Sequence, residues 1–347
     1  MSRRLTPITI LLALAALALG AAQGPRRIDT ISAPQPLVVH EWGTWTSMTG
    51  ADGRAVEWFP LNGPPDLPCF VDRFAINIKC CLAAKIRMET PVLYFYTSWP
   101  VRLNVTVRFR RGAVTEWFPR AAVTPASVDG ARLRRPDFSS SITWNDVKVG
   151  PDARTGFQVD GSGSHYYVAR QTDASPLQVG SQKEKFLFYR GVGSFEPPID
   201  ATVASDGRVT VENPDGDPIG DAIMFENAGG MIAWQARRGS GSQVVFDPSS
   251  GDGEISPPHA ELEQILIAHG LYPKEARAMI DTWRDTWFKE GRRIFYIVSR
   301  NTIDSILPLD INPSPSEIVR VFVGRIELET QKGAAFVPRA PLSGCPR

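Results

Sequence analysis

The sequence predicts a mainly β fold: a β-sandwich-like, multi-strand domain or domains with an inserted α-helical hairpin. Short runs rich in β-branched and aromatic residues recur along the chain, separated by Gly, Pro, Asn and Asp. From Leu103 to Arg110 apolar and polar residues alternate, which is typical of a strand with one face in water. Only residues 256–291 show helical periodicity instead.

The predicted strands differ in how their apolar residues are arranged. Val92–Tyr96 is apolar throughout, which predicts a central strand with both faces covered. The other runs predict strands at Leu37–His40, Leu103–Arg110, Val114–Phe118, Tyr166–Arg170, Phe186–Arg190, Val209–Glu212, Ile232–Ala236, Gln243–Phe246, Ile294–Ser299 and Val319–Leu328.

Two amphipathic helices form the predicted hairpin. Ser256 is placed to cap the first helix, and Gly270 is placed to end it. The second helix follows Pro273 and ends before Gly291. The hairpin is too small to be a separate domain, so we expect it to pack on the sheets. The predicted organisation is a β-rich region at 23–255, the hairpin at 256–291, and C-terminal strands at 292–347 that complete the β-rich domain.

The charge balance limits the classes of partner. The chain has 347 residues, of which 38 are basic and 37 acidic. A nearly neutral protein exerts little long-range attraction on nucleic acid or on anionic lipid. The paired arginines along the chain are scattered and balanced by acids, so we expect no nucleic-acid partner.

The N-terminus has the pattern of a cleaved signal peptide. Arg3 and Arg4 precede an apolar run from Ile8 to Leu19, and small residues follow at 20–22. The alternative is an N-terminal membrane anchor, but the run is shorter than the roughly 20 residues that cross a bilayer. We therefore expect residues 1–22 to be removed and the mature protein, without a membrane span, to be periplasmic or extracellular.

Export permits disulfide bonds. The cysteines are Cys69, Cys80, Cys81 and Cys345, which allow three pairings. Adjacent cysteines rarely bond to each other, so a local loop from Cys69 to Cys80 or Cys81 is the preferred pairing. Zinc on cysteines is the weaker interpretation, because the chain lacks a C-x-x-C pair and has only four histidines.

The segment from His40 to Thr46 carries the most suggestive local sequence. His40 and Glu41 have the chemistry of an acid–base or metal-binding pair, but neighbours on a regular strand point to opposite faces. Only a bulge or a turn at Gly43 would let them converge. The alternative is that His40 is hydrogen-bonded in or near the core, which Trp42 and Trp45 fill.

Arg87 and Glu89 are two residues apart and so lie on one face of a strand. One interpretation is an ion pair at a strand end. The other is that Glu89 joins Glu41, Glu57 or Glu116 in a carboxylate cluster for a metal or for glycoside chemistry. The candidate catalytic residues are therefore Glu41 and Glu89, and the candidate binding residues are His40, Trp42 and Arg87.

Common catalytic motifs are absent from the sequence. It contains no G-x-S-x-G, H-E-x-x-H, P-loop or dinucleotide-binding pattern. Asp215-Gly216-Asp217 and the segment Asp247–Glu254 suggest calcium loops, but neither has a full alternation of oxygen ligands, and tight turns explain both. The cofactor is therefore unknown; a divalent metal is compatible with the sequence but not required by it.

Several strings together resemble a group of exported bacterial proteins for which no activity is established. The resemblance spans most of the mature chain and implies bacterial export, but it implies no chemistry. Its landmarks are His40-Glu41-Trp42-Gly43-Thr44, the run from Arg87 to Tyr96, the run from Phe186 to Gly191, and Val323-Gly324-Arg325-Ile326-Glu327.

Two functional hypotheses follow. The first is an exported binding or structural module of the periplasm or cell surface, with envelope glycans or another exported protein as partner. The alternative is a carboxylate- or metal-dependent hydrolase acting on glycans or cell-envelope material. In that hypothesis Glu41 and Glu89 are the acid and base, and His40 is a ligand or proton carrier.

Overall fold

The structure, a computed structural model, describes residues 36–62, 66–73, 82–150, 156–248 and 257–328. All of them belong to a compact unit that begins at Pro36. The predicted signal peptide (1–22), the predicted cap Ser256, and Cys80, Cys81 and Cys345 lie outside the described residues. Export and the disulfide pairing therefore stay predictions.

The described part of the chain is mainly β, as the sequence predicts. Its helices are α1 (Gly130–Leu133), a 3-10 helix (His165–Arg170), α2 (Pro258–Ala268), α3 (Pro273–Trp287) and α4 (Arg300–Ile306). Its strands are β1 (Val38–Met48), β2 (Asp72–Arg73), β3 (Ile86–Tyr96), β4 (Val101–Arg110), β5 (Gly112–Phe118), β6 (Ala122–Thr124), β7 (Ser139–Val149), β8 (Leu177–Val179), β9 (Gln182–Glu184), β10 (Leu187–Gly193), β11 (Asp200–Val203), β12 (Val209–Glu212), β13 (Gly220–Ala228), β14 (Met231–Ser240), β15 (Gln243–Phe246), β16 (Gly291–Ile297), β17 (Leu309–Asn312) and β18 (Glu317–Leu328).

These strands form three sheets within the described residues. The largest has nine strands in the order β14-β13-β16-β18-β1-β3-β10-β5-β2. A six-stranded sheet runs β17-β4-β7-β8-β9 with β6 beside β7, and a three-stranded sheet runs β11-β12-β15. In the large sheet β1 pairs in parallel with β18 and antiparallel with β3, so the ends of the described chain meet at its centre.

The nine-stranded sheet is covered on both faces, which gives the domain two apolar cores. One face packs against the two smaller sheets in a layer that we call the sheet core, and the other packs under α2 and α3 in a layer that we call the helix core. Side chains in the sheet core include Leu93, Phe95, Phe109, Trp144 and Phe322, and those in the helix core include Trp42, Val92, Tyr94, Met279 and Trp283.

Two predictions about individual strands are confirmed. Val92–Tyr96 belongs to β3, which lies between β1 and β10 and alternates between the two cores. The segment Leu103–Arg110 belongs to β4, where every second residue is buried and the others face outward. The predicted sandwich is therefore present, with a helical layer on its outer face.

The predicted helical hairpin is also present. Helices α2 and α3 follow one another between β15 and β16, and their apolar faces pack in the helix core. At the start of α3 the Glu275 carboxylate accepts a hydrogen bond from the backbone N–H of Tyr272. Of the described helices, none combines the length and the apolar character that crossing a membrane requires.

The prediction of a strand at Tyr166–Arg170 is wrong, because this segment is a 3-10 helix. Ser164 starts it, its side chain accepting a hydrogen bond from the backbone N–H of Tyr166. The aromatic residues that suggested a strand instead pack into the helix core. Strand β7 was not predicted, because its first three residues are serines.

Candidate functional site

His40 and Glu41 lie on opposite faces of β1. The His40 ring lies on the helix side, where it contacts Tyr272 at the start of α3. Glu41 points the other way, toward Tyr189 of the sheet core. A bulge is present beside Gly43, as the sequence suggested, but it does not bring His40 and Glu41 together.

Glu41 is held in a fully buried ion pair. Its carboxylate accepts hydrogen bonds from Arg320 Nε on β18 and from the Tyr189 hydroxyl, and the Glu41 and Arg320 side chains have no exposed surface. Burial, together with the Glu41 charge, raises the pKa of Tyr189 well above its usual value. Because Glu41 is sealed from solvent and fully paired, this geometry gives it a structural role.

Glu89 lies on the helix side of β3, away from Glu41. Arg87 Nε lies 3.2 Å from Glu89 Oε1, so the predicted ion pair is present, and Thr46 donates a 2.7 Å hydrogen bond to Glu89. Burial is the largest single influence and raises the pKa of Glu89, but Arg87, Arg325 and the Thr46 hydrogen bond together outweigh it, and the net pKa is lowered. The structure therefore gives an ionised Glu89 and does not bring the proposed acid–base pair together.

A β-bulge places Arg87 and Glu89 on this face. Between Glu89 and Val92, two residues of β3 lie opposite the single residue Gly43 of β1. Thr90 in the bulge has φ of 48°, a left-handed conformation that is strained for a β-branched residue. The pairing of β10 with β3 is irregular at the same level. Bulges of this kind re-aim side chains and are frequent beside functional sites.

The re-aimed side chains belong to an ionic network that we call the arginine cluster: Asp66, Arg87, Glu89, His165 and Arg190. Two Arg190 nitrogens each lie 2.9 Å from an Asp66 oxygen, and His165 Nε2 lies 3.7 Å from Asp66 Oδ2. Burial opposes ionisation of Asp66, but Arg190 and Arg87 hold its pKa well below its usual value. Burial and Arg190 lower the pKa of His165, which keeps its ring neutral at pH 7.

Two of the five cluster members, Arg87 and Glu89, are site residues that the sequence predicted. Arg87 and Glu89 were found from their spacing, whereas Asp66 in a loop and His165 at the start of the 3-10 helix have no motif to mark them. The four landmark strings nevertheless lie on β1, β3, β10 and β18, which are adjacent central strands of the large sheet. Arg190 in the third string and Arg325 in the fourth are further charges that act on Glu89 of this cluster.

His40 belongs to a second network, centred on the buried Glu275 of α3. His40 Nδ1 lies 2.7 Å from Glu275 Oε2, and the Tyr96 hydroxyl donates a 2.7 Å hydrogen bond to Glu275 Oε1. The His40 ring stacks on Tyr272, with 4.4 Å between ring centroids. The end of β3 and the start of α3 are therefore locked together by one carboxylate.

This network supports a surface cavity of about 370 Å³ that we call the tyrosine pocket. Tyr96, Tyr272 and Pro273 form its apolar walls, and the exposed ion pair of Lys274 with Asp173 completes the lining. The two tyrosine rings meet nearly edge to face, at 83°. The volume lies within the range of small-ligand sites, which are mostly apolar with a few placed polar groups.

The remaining predicted residues do not come together in one site. Trp42 is fully buried in the helix core, the position that the sequence analysis gave as the alternative to binding. Glu57 pairs with Arg134, and Glu116 lies opposite Arg190 on the neighbouring strand. Within the described residues, no three His, Cys, Asp or Glu side chains are placed to hold a metal ion together.

Comparisons with known proteins show no close relative. No protein-family model and no curated protein matches the chain. Among solved structures, the Fcho1 Mu homology domain of Danio rerio with a bound Eps15 peptide covers 85% of this chain and 97% of its own, at 8% identity and a TM-score of 0.30. The yeast delta-COP-I mu-homology domain complexed with a Dsl1 WxWxV peptide covers 86% and 98%, at 8% identity and a TM-score of 0.28. These scores are too low to carry an argument about this chain.

Proposed function

We propose that this chain is an exported binding module of the cell envelope and that the tyrosine pocket binds a sugar ring of an envelope glycan. The carrying observation is a pocket of ligand size whose aromatic walls are fixed from below by the His40–Glu275 network. Export is supported by the signal-peptide pattern at residues 1–22 and by the resemblance to exported bacterial proteins.

The lining of the tyrosine pocket suits a saccharide. The C–H face of a pyranose ring packs on an aromatic ring, and Tyr272 offers one that is 44% exposed. Lys274 can donate hydrogen bonds to ring hydroxyls, and Asp173 can accept them. Trp99, which is 60% exposed and follows Tyr96 by three residues, is a candidate for contact with a longer glycan.

A preformed pocket also favours binding energetically. The Tyr96 hydroxyl is bound to Glu275 and the Tyr272 ring rests on His40, so neither ring needs much ordering when a ligand arrives. Binding then loses little conformational entropy, and this loss is a main cost of association. The hydrolase hypothesis has no such support, since Glu41 and Glu89 face different cores.

The test is binding of the purified protein to insoluble peptidoglycan by co-sedimentation, and to N-acetylglucosamine oligosaccharides by calorimetry. We expect Tyr272→Ala to weaken binding at least about tenfold, because the stacking surface is removed while the backbone N–H to Glu275 remains. Phe59→Ala is the matched control: Phe59 is a 47% exposed aromatic residue outside the pocket lining.

Near-ultraviolet circular dichroism and the urea midpoint check that both variants are folded. Binding that is lost in Tyr272→Ala and kept in Phe59→Ala supports the proposal. Equal binding by Tyr272→Ala and the unmodified protein shows that the tyrosine pocket is not the glycan site. Absence of binding to both probes refutes a glycan ligand.

A further inference from the structure

A second cavity, of about 360 Å³, lies where the loop between β12 and β13 meets the end of β16. We call it the aspartate pocket. Asp215 and Asp217 of that loop line one side, and Asn301 at the start of α4 lines another. Tyr296 of β16 also lines it.

The charges in this pocket have one sign. Asp215 and Asp217 are exposed, and neither forms an ion pair with a residue of the described ranges. No lysine, arginine or histidine is among the described lining residues. Two uncompensated carboxylates at one cavity produce a negative potential, which selects a cationic ligand.

Tyr296 is the independent observation that points to a ligand here. Only 4% of its surface is exposed, its ring lies over Gly324 of β18, and its hydroxyl has no hydrogen-bond partner among the described residues. The hydroxyl itself is not sealed from solvent, and because Tyr296 lines the pocket, this oxygen is free to bond a ligand there. Burial is the cause that raises the pKa of Tyr296.

The apolar part of the lining decides which cation fits. Ile199 and Ile219, both nearly fully buried, line the pocket beside the carboxylates. Calcium takes six to eight oxygen ligands in a largely polar shell, whereas an alkyl chain ending in a charged nitrogen needs an apolar wall and a few acceptors. Polar side chains such as Ser299 and Thr302 complete the lining, which therefore offers both an apolar wall and acceptors; an alkylammonium uses both, whereas calcium would use only the acceptors.

We propose that the aspartate pocket binds a primary ammonium group carried on an alkyl chain. Asp215 and Asp217 accept hydrogen bonds from the ammonium group, the Tyr296 hydroxyl accepts a further one, and Ile199 and Ile219 pack against the alkyl chain. The same chemistry is offered by a free diamine and by a lysine side chain of another protein. This site is separate from the tyrosine pocket and does not depend on glycan binding.

The test measures binding by calorimetry and by NMR chemical-shift perturbation at low salt. The probes are 1,5-diaminopentane and Nα-acetyl-lysine-N-methylamide, with 1-pentanol as the uncharged control and calcium chloride as the competing cation. Binding of either amine without binding of pentanol supports the proposal, and the stronger of the two identifies the source. Binding of calcium alone, of pentanol as strongly as the amines, or of no probe overturns it.

Variants separate the site from general surface charge. We expect Asp215→Asn combined with Asp217→Asn to weaken amine binding at least about tenfold, because charge-assisted hydrogen bonds are lost. Asp310→Asn, an exposed acid outside the lining, is the matched control and should leave binding unchanged. Unchanged binding in the double variant overturns the proposal.

Tyr296→Phe distinguishes a ligand-binding hydroxyl from a structural one. Because the hydroxyl has no protein partner, its removal should leave the urea midpoint unchanged or raise it, while amine binding weakens about threefold or more. A loss of stability with unchanged amine binding contradicts the role given to Tyr296.

Discussion

The buried pair of Glu41 and Arg320 gives the sharpest prediction about how this fold is held together. Glu41→Gln removes the charge but keeps the shape and the contact with Tyr189. Arg320→Met removes the other charge at similar volume. Since neither side chain has exposed surface, each change leaves the remaining partner buried in the sheet core.

The structure predicts that the two changes differ in cost. Breaking a buried ion pair from one side costs about 3–5 kcal/mol. In Glu41→Gln, Arg320 keeps Asp304, whose oxygen lies 2.7 Å away and is half exposed, so we expect about 3 kcal/mol. In Arg320→Met, the Glu41 carboxylate keeps, among the described residues, only the Tyr189 hydroxyl, so we expect about 5 kcal/mol. In the double variant no charge is left unpaired, so its cost should fall well below the sum of the two.

Urea unfolding followed by fluorescence measures these differences as a double-mutant cycle. A coupling of about 3 kcal/mol or more is expected for the pair. The reasoning is refuted if the two single changes are additive, if Glu41→Gln costs under about 1 kcal/mol, or if it costs more than Arg320→Met. A catalytic Glu41 would have required the opposite result: lost activity with unchanged stability.

Three further perturbations test the ionic networks and the packing. The depressed pKa of Asp66 means that its ion pair stabilises the fold above the unfolded value of 3.8 and that this stability is lost as the pH falls through the lower folded pKa. Asp66→Asn should therefore lower the urea midpoint at pH 7 and make the midpoint fall less steeply below pH 4. A midpoint that falls below pH 4 as steeply as in the unmodified protein contradicts this. Gly324→Ala places a Cβ 2.0 Å from the Tyr296 ring, so we expect a loss of about 2–3 kcal/mol in thermal unfolding, whereas Gly241→Ala, in open space, should have little effect. Glu275→Ala leaves three donors without their acceptor, so we expect it to lower the free energy of unfolding by about 2–3 kcal/mol. It should also weaken glycan binding, measured on the same samples. An unchanged free energy of unfolding argues against the network.

The sequence predicted the features that depend on residues close together along the chain. Strand alternation separated His40 from Glu41, and the two-residue spacing of Arg87 and Glu89 gave their ion pair. The partner of His40 could not be predicted from local patterns, because Glu275 follows it by 235 residues and meets it only when α3 packs on the sheet. Strand propensity failed at Tyr166, since aromatic residues serve a buried 3-10 helix as well as a strand.

The bulge in β3 shows why the candidate acid–base pair could not be judged from alternation alone. In a regular strand Glu89 would share a face with Leu93, and so with Glu41, which lies beside Leu93 across the β1–β3 pairing. The extra residue at Thr90 and Pro91 reverses the phase: Met88 enters the sheet core, and Glu89 turns to the helix side. The backbone strain at Thr90 is thus offset, because without the bulge the two charged side chains of Arg87 and Glu89 would enter an apolar core.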